Sequence, residues 1–172
     1  MRNSEYTAYF REIARRHKAL RHSPIEMHFA RIIMSADPFP ELQLNEFLTS
    51  LKSKIRLPFM LLISYEHDYQ DNRSDNIQKQ LHGAYIILDK PQKDSFDQQE
   101  AILDRTEEIG EQILAFIKDD LDTKMVTSHL DLNGSGGEKI TNVADGFLGT
   151  RFHFTFFKTA NQSLTHNPSN WI

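Results

Sequence analysis

The longest helical pattern in the chain runs from Ser95 to Leu121, and it limits the possible folds more than any other segment. Its apolar side chains recur at steps of three and four residues, whereas most of its acidic side chains occupy the other side. Ser95 and Gln98 fit a capping box at its start, and Asp97 and Glu100 fit one half a turn later. The segment therefore predicts an amphipathic helix that buries one stripe against a core: Ile102, Thr106, Ile109, Ile113, Phe116, Ile117 and Leu121.

Gly110 lies in the middle of this predicted helix. A glycine there costs about 1 kcal/mol relative to alanine, so it needs a reason or a tolerant site. A close approach of the helix to another part of the chain would be such a reason. We expect close packing on a sheet at this position, and plain tolerance is the alternative.

Two strands precede the helix and form a predicted hairpin. Residues 58–66 and 81–89 are rich in aliphatic and aromatic side chains, and residues 67–76 between them are polar. This pattern predicts a long polar tip. Both strands are apolar on both faces over part of their length. One face is therefore expected under a helix, and the other partly under the N-terminal segment or another subunit.

After the helix, the strongest strand pattern is Gly149 to Lys158. Phenylalanines alternate there with polar residues, which places Phe152, Phe154 and Phe156 on a core face. Residues 124–133 and 138–143 form two further β-prone segments. The glycine-rich residues 134–137 between them are interpreted as a linker turn, because no helix follows them to bind a phosphate.

The first 57 residues predict a helix from Ser4 to about Leu20, a strand from Met27 to Met34 and a helix from Glu41 to Ile55. The predicted fold class is α+β, with an antiparallel sheet of four to five strands and one long helix packed on a face. Residues 1–158 are expected to form a single domain, in which residues 1–57 extend a β-β-α-β-β core of residues 58–158. Residues 159–172 form a polar tail, and Trp171 and Ile172 are its only predicted anchor.

The charge of the chain is unevenly distributed. Residues 1–22 contain six Lys and Arg against two Glu, so they carry +4, while the whole chain carries −4. A basic end can contact nucleic acid or an acidic partner. It can also be a solvated helix face, or an arm that docks on the acidic part of its own or a neighbouring subunit, and the pI near 6.0 favours these readings.

Composition also limits the chemistry and the cellular location. The 172 residues include no cysteine, which excludes disulfides, thiolate metal sites and a cysteine nucleophile. The N-terminus has no apolar signal region, and the longest aliphatic run, Phe59 to Ile63, is too short to span a bilayer. We therefore expect a soluble, cytoplasmic protein.

The eight histidines show no paired metal-ligand spacing. Glu66, His67 and Asp68 are adjacent, but neighbouring strand residues point to opposite faces, so at most two of them converge. A hydrolase that uses His67 with Asp71 is a third, minor hypothesis. The aspartates of the predicted polar tip, residues 67–76, superficially suggest a calcium site, but the tip lacks the glycine and closing glutamate of an EF-hand loop. No cofactor, metal or catalytic residue is predicted.

The order of elements and the segment from Asp145 to Phe154, DGFLGTRFHF, resemble the tail-terminator, or tail-completion, proteins of tailed phages and prophages. In that family the last strand commonly follows an acidic residue or Asn, a short gap and a Gly, and then alternates aromatic and polar residues. The resemblance covers about residues 58–158. It implies a two-layer fold and a homo-oligomeric ring, typically of six subunits, that ends tail-tube growth and meets the head connector.

From this resemblance we expect a structural, non-enzymatic protein of a phage-like particle, with copies of itself and other tail or connector proteins as partners. The alternative is a small α+β domain that binds nucleic acid or an acidic protein through its basic N-terminal helix, using Arg11, Arg15, Arg16, Lys18 and Arg21 as contacts. The predicted interface residues are Arg15, Arg16, Lys18, Asp68, Asp71, Arg73 and Asp75.

Overall fold

The computed structural model describes residues 1–33, 40–71, 73, 76–92, 95–124, 128–144 and 146–171. They form a five-stranded sheet and three α-helices, followed by two short 3-10 turns at Gln162–Leu164 and Pro168–Asn170. In chain order the elements are α1 (Asn3–Arg16), β1 (Met27–Ile32), α2 (Pro40–Leu51), β2 (Ile55–Asp71), β3 (Ile77–Asp89), α3 (Phe96–Lys124), β4 (Ser128–Val143) and β5 (Phe147–Thr159).

The α+β class and the number of strands are confirmed, but the prediction of an antiparallel sheet is wrong. The strand order is β1-β2-β3-β5-β4, and β1 runs parallel to β2, while the other neighbouring pairs are antiparallel. A parallel pair needs a crossover connection, and α2 supplies it between β1 and β2. The sheet is therefore mixed.

Two helices share one face of the sheet, where one long helix was expected. The apolar stripes of α1 and α3 pack on side chains from β2, β3 and β5, in a core that includes Tyr6, Phe10, Tyr85, Ile113 and Phe154. Phe152, Phe154 and Phe156 belong to this core, as their alternation predicts. Helix α2 covers part of the opposite face, where Leu48 packs with residues of β2 and β3.

Gly110 confirms the expected close packing of α3 on the sheet. A Cβ at this position would lie 2.0 Å from Cε2 of Phe152 on β5. The hydroxyl of Tyr85 on β3 donates a hydrogen bond to the Gly110 carbonyl at 2.7 Å. The missing side chain therefore lets the helix backbone reach two strands.

Several boundaries differ from those predicted. Strand β2 continues to Asp71, so five of the ten predicted tip residues, 67–71, lie on the strand. The glycine-rich segment 134–137 lies inside β4 rather than in a linker, at an irregularity between Asp131 and Gly136. Ile55 begins β2 instead of ending α2. The end of the predicted β1 at Met34 lies outside the described residues.

The C-terminal residues contact the sheet through Ala160 and Asn161 rather than through Trp171. Ala160 N–H donates to Ile77 O at 2.8 Å, and the Asn161 side chain accepts from Ile77 N–H at 2.7 Å. Trp171 is 72% exposed, and Ile172 lies outside the described residues. Within the described residues, Ala160 and Asn161 therefore attach this segment to the sheet, and Trp171 does not.

Candidate functional site

A cleft opens between the last turn of α1 and the middle of α3. Its volume is about 280 Å³, slightly below the usual range for small-molecule sites, which suits a single side chain better than a cofactor. Its floor is apolar and its rim is cationic. We call it the α1–α3 cleft; its lining residues are Ile13, Arg16, His17, Lys18, Gln112, Ile113 and Phe116.

His17 lies at the rim of the cleft, directly after α1, and is held there by a contact with α3. Its Nε2 lies 3.0 Å from Gln112 Oε1, and Gln112 Nε2 donates to Glu108 at 3.0 Å. The Ala19 N–H donates to His17 Nδ1 at 3.2 Å. This pattern fits a neutral ring with its proton on Nε2. Burial lowers the pKa of His17 below its ordinary value of 6.5, and the bond to Gln112 opposes this shift.

Arg16 and Lys18 supply the positive charge of the cleft. The Arg16 guanidinium lies 5.3 Å from the centre of the Phe116 ring, a cation–π contact that leaves its N–H groups available. Among the described residues, neither side chain forms an ion pair with a carboxylate. The cleft can therefore accept an anionic group over an apolar floor.

The other basic residues of the N-terminal segment do not line the cleft. Arg15 forms a bidentate ion pair with Glu12, with N–O distances of 2.6 and 2.7 Å. Arg11 lies over the Phe29 ring at 6.0 Å, and Arg21 Nε donates to Lys18 O at 2.8 Å. Of the four predicted basic interface residues, the structure thus brings Arg16 and Lys18 to one site.

Two of the three predicted acidic interface residues, Asp68 and Asp71, lie on the outer half of β2. Strand β1 stops at Ile32, opposite Ile63, so the described residues give the later part of β2 no neighbour on its outer side. We define the acidic edge as Glu66, Asp68 and Asp71, all of which are exposed. Arg73 follows in the turn, where its N–H donates to Asp71 Oδ1 at 2.8 Å. Asp75 lies outside the described residues.

The closest His–Asp contact on this strand is one that the sequence reasoning missed. His82 Nε2 lies 3.3 Å from Asp68 Oδ2, and His82 Nδ1 lies 3.0 Å from Thr155 Oγ1. The predicted pair, His67 and Asp71, is separated by four strand residues, or about 13 Å, too far for a hydrogen bond. Only the strand register could have revealed the contact, and the expected long tip concealed it.

Glu66 and Asp68 lie on the opposite face of β2 from His67, because strand side chains alternate. Within the described ranges, no group of three or more His, Cys, Asp or Glu side chains is arranged to hold a metal ion.

The floor of the α1–α3 cleft also escaped the sequence analysis. Phe116 and Ile113 belong to the apolar stripe, which was interpreted as core alone. A stripe residue that remains half-buried, as Phe116 does, becomes a cleft floor only when a second helix lies beside it. The sequence signal that could have indicated this floor is the width of the apolar stripe on α3, which exceeds what one packing contact needs.

Comparison with protein-family models and with curated proteins finds no significant match to this chain. No helix in the part of the chain that the structure describes has the length and apolar character needed to cross a bilayer.

Proposed function

We propose that this chain is a structural, non-enzymatic protein of a phage-like assembly, a tail terminator or head–tail joining component that works through contacts between copies of itself. The observation that supports this proposal is a pair of unlike charged surfaces on one subunit. The α1–α3 cleft carries Arg16 and Lys18, which form no ion pair with a carboxylate in the described residues. The acidic edge presents exposed carboxylates on a part of β2 whose outer side has no neighbouring strand among the described residues.

The two surfaces suit each other in size and charge. The cleft holds about 280 Å³, which admits a carboxylate side chain, and its cations would meet that charge at the rim. Asp68 is a good candidate for this contact because its side chain is 61% exposed. Charges at such a contact favour one orientation of approach and disfavour the alternatives.

Contacts between unlike surfaces also limit the symmetry of the assembly. A two-fold dimer places the same surface on both sides of its interface, whereas a cleft-to-edge contact is head-to-tail. Head-to-tail contacts produce a closed ring when the rotation between subunits closes. This agrees with the ring that the resemblance to tail-terminator proteins implies.

A charge-reversal series tests the proposal by light scattering after size exclusion, at about 0.1 M salt and at about 1 M salt, where screening is much stronger. We expect Lys18→Glu and Asp68→Lys each to convert the assembly to monomers, and the double variant to assemble again. Lys54→Glu is the matched control, since Lys54 is exposed and lies outside both surfaces. A wild-type protein that stays monomeric at high concentration in the lower salt would overturn the proposal.

The cleft also supports a second function, a small α+β domain that binds an acidic protein partner through its basic N-terminal helix. The observation in its favour is the same pair of cations, which would receive the partner's carboxylate. The same series separates the two functions. A monomeric wild type that binds polyglutamate at low salt, and loses this binding with Lys18→Glu, indicates the second function.

A further inference from the structure

A row of polar residues crosses the sheet beyond the start of α1, away from the α1–α3 cleft. The strand register places Tyr69 on β2 opposite Lys79 on β3, Lys79 opposite Lys158 on β5, and Lys158 opposite Ser128 on β4. The next row on the same face contains Leu81, which belongs to the core under the helices. We call these four residues the cationic row.

The two lysines of the row are placed unfavourably for a protein without a ligand. Like charges directly opposite each other on antiparallel strands repel and destabilise the pair. Burial lowers the pKa of Lys79, and the charges of Arg2 and Lys158 lower it further. In the described part of the chain, none of these three cations forms an ion pair. The nearby Glu5 carboxylate accepts a hydrogen bond from the backbone N–H of Arg2, not from its guanidinium, at 2.7 Å.

The Ser128 hydroxyl is a second, independent sign of a missing partner. Ser128 is only 9% exposed, and its Oγ has no hydrogen-bond partner among the described residues. It lines a small cavity of about 20 Å³ together with Lys158, enough space for one oxygen-sized group. A buried hydroxyl without a partner is unfavourable, so an acceptor atom in this cavity would stabilise the site.

Aromatic rings lie at the β2 end of the row. Lys79 Nζ lies 5.6 Å from the centre of the Tyr65 ring and 5.9 Å from that of Tyr69. His67 lies between the two tyrosines along the strand, and its ring centre is 6.0 Å from that of Tyr65 and 5.6 Å from that of Tyr69. Tyr69 is 45% exposed, so part of its ring is open to a ligand. Cations beside exposed rings form a surface on which both a phosphate and a base can rest.

We propose that the cationic row binds single-stranded nucleic acid. Lys79, Lys158 and Arg2 contact a phosphate, the Ser128 hydroxyl donates to a phosphate oxygen, and a base stacks on Tyr69. A free phosphate would use the cations and leave Tyr69 without a role, and an acidic peptide would have no flat group for the ring. The charges and the ring together therefore favour a nucleotide chain over either of these.

Fluorescence anisotropy with a labelled oligothymidine, titrated at several salt concentrations, tests the proposal. We expect binding that weakens with salt, and a shallower salt dependence, by about 0.7 in log–log slope, for each phosphate contact removed by Lys79→Met or Lys158→Met. Tyr69→Ala should weaken binding at least about fivefold, whereas Tyr69→Phe should keep most of it because the ring remains. Lys54→Met is the control for a loss of general positive charge.

Thermal unfolding separates a binding role from a structural one. Because Lys79 and Lys158 repel each other, Lys158→Met should raise the melting temperature of the free protein while it weakens oligothymidine binding. A residue that only supported the fold would lower both. The proposal is overturned if the wild type does not bind the oligonucleotide at low salt. It is equally overturned if Tyr69→Ala and Lys158→Met bind like the wild type, or if inorganic phosphate alone accounts for the interaction.

Discussion

At the scale of single residues, Gly110 shows how one missing side chain positions the longest helix. The Phe152 ring on which it packs is stacked on Tyr85 at 5.4 Å, so the ring has little room to move away. Gly110→Ala would gain about 1 kcal/mol of helix propensity, but the overpacking would cost about 1–3 kcal/mol. We expect a net loss of about 1 kcal/mol in the free energy of unfolding, measured by urea denaturation.

Glu111→Ala is the matched control for this variant, because Glu111 is exposed on the same turn of α3. Its unfolding free energy should stay within about 0.5 kcal/mol of the wild type. A Gly110→Ala protein more stable than the wild type would show that the helix does not lie as close to β5 as the structure indicates.

The second residue-scale prediction concerns pH. Burial places the pKa of His17 below its ordinary value of 6.5, and the Ala19 N–H occupies the nitrogen that would take the second proton. The unfolded chain therefore binds a proton that the folded chain resists. The contribution of neutral His17 to the free energy of unfolding should be fully present above about pH 7. It should be lost as the pH drops through 6.5 toward the lower pKa of His17 in the folded protein.

Urea denaturation between about pH 7.5 and 5.5 measures this effect, in a range where carboxyl groups titrate little. His17→Gln, which cannot be protonated, should show a smaller loss of stability across the range. Some loss should remain, because burial and the charge of Arg11 also lower the pKa of His22. Identical pH profiles for the variant and the wild type would contradict the proposed neutral state of His17.

At the scale of elements, the sequence predicts best those segments whose period is set by one neighbouring surface. Helix α3 and strand β5 each bury one side, and both were found close to their predicted bounds. The outer half of β2 has a strand on one side only and exposed polar residues on both faces, so it resembled a loop. The glycine-rich residues 134–137 resembled a linker, but they lie within β4 at a register irregularity between Asp131 and Gly136.

The direction of β1 could not be predicted from local sequence. Its pairing with β2 joins residues about thirty positions apart, and nothing in the composition of a short strand states whether its partner is parallel. The candidate sites share this limitation. The basic residues were visible as a group, but their separation into a cleft and a row depends on which helix lies beside which strand.

Helix α2 provides the element-scale prediction, because it alone of the three described helices packs on the opposite face of the sheet. Leu48 is fully buried between α2 and the strands. Leu48→Ala should reduce the unfolding free energy by about 2–5 kcal/mol through lost burial and a cavity. Thr49→Ala, one residue along on the exposed side, should change it by less than about 0.5 kcal/mol. Equal effects of the two variants would show that α2 does not contribute to the core.

At the scale of the whole molecule, the two proposed sites place basic residues at opposite ends of α1. The net charge is −4, yet Arg16 and Lys18 line the α1–α3 cleft at one end of α1, and Arg2 lies beside the cationic row at the other. The 14 residues of α1 span about 21 Å. This exceeds the screening length of about 10 Å at 0.1 M salt, so the two sites should act independently.

The last prediction follows from this separation. Lys18→Glu should abolish self-assembly and leave the affinity for a short oligothymidine within about twofold, because distant sites without shared partners have additive effects. Lys158→Met should weaken oligothymidine binding and leave assembly unchanged. The oligonucleotide must be too short to bridge two subunits, since bridging would raise its apparent affinity in the assembled protein alone. If Lys18→Glu also weakened binding of the short oligonucleotide, the two surfaces would be parts of a single site that extends along α1.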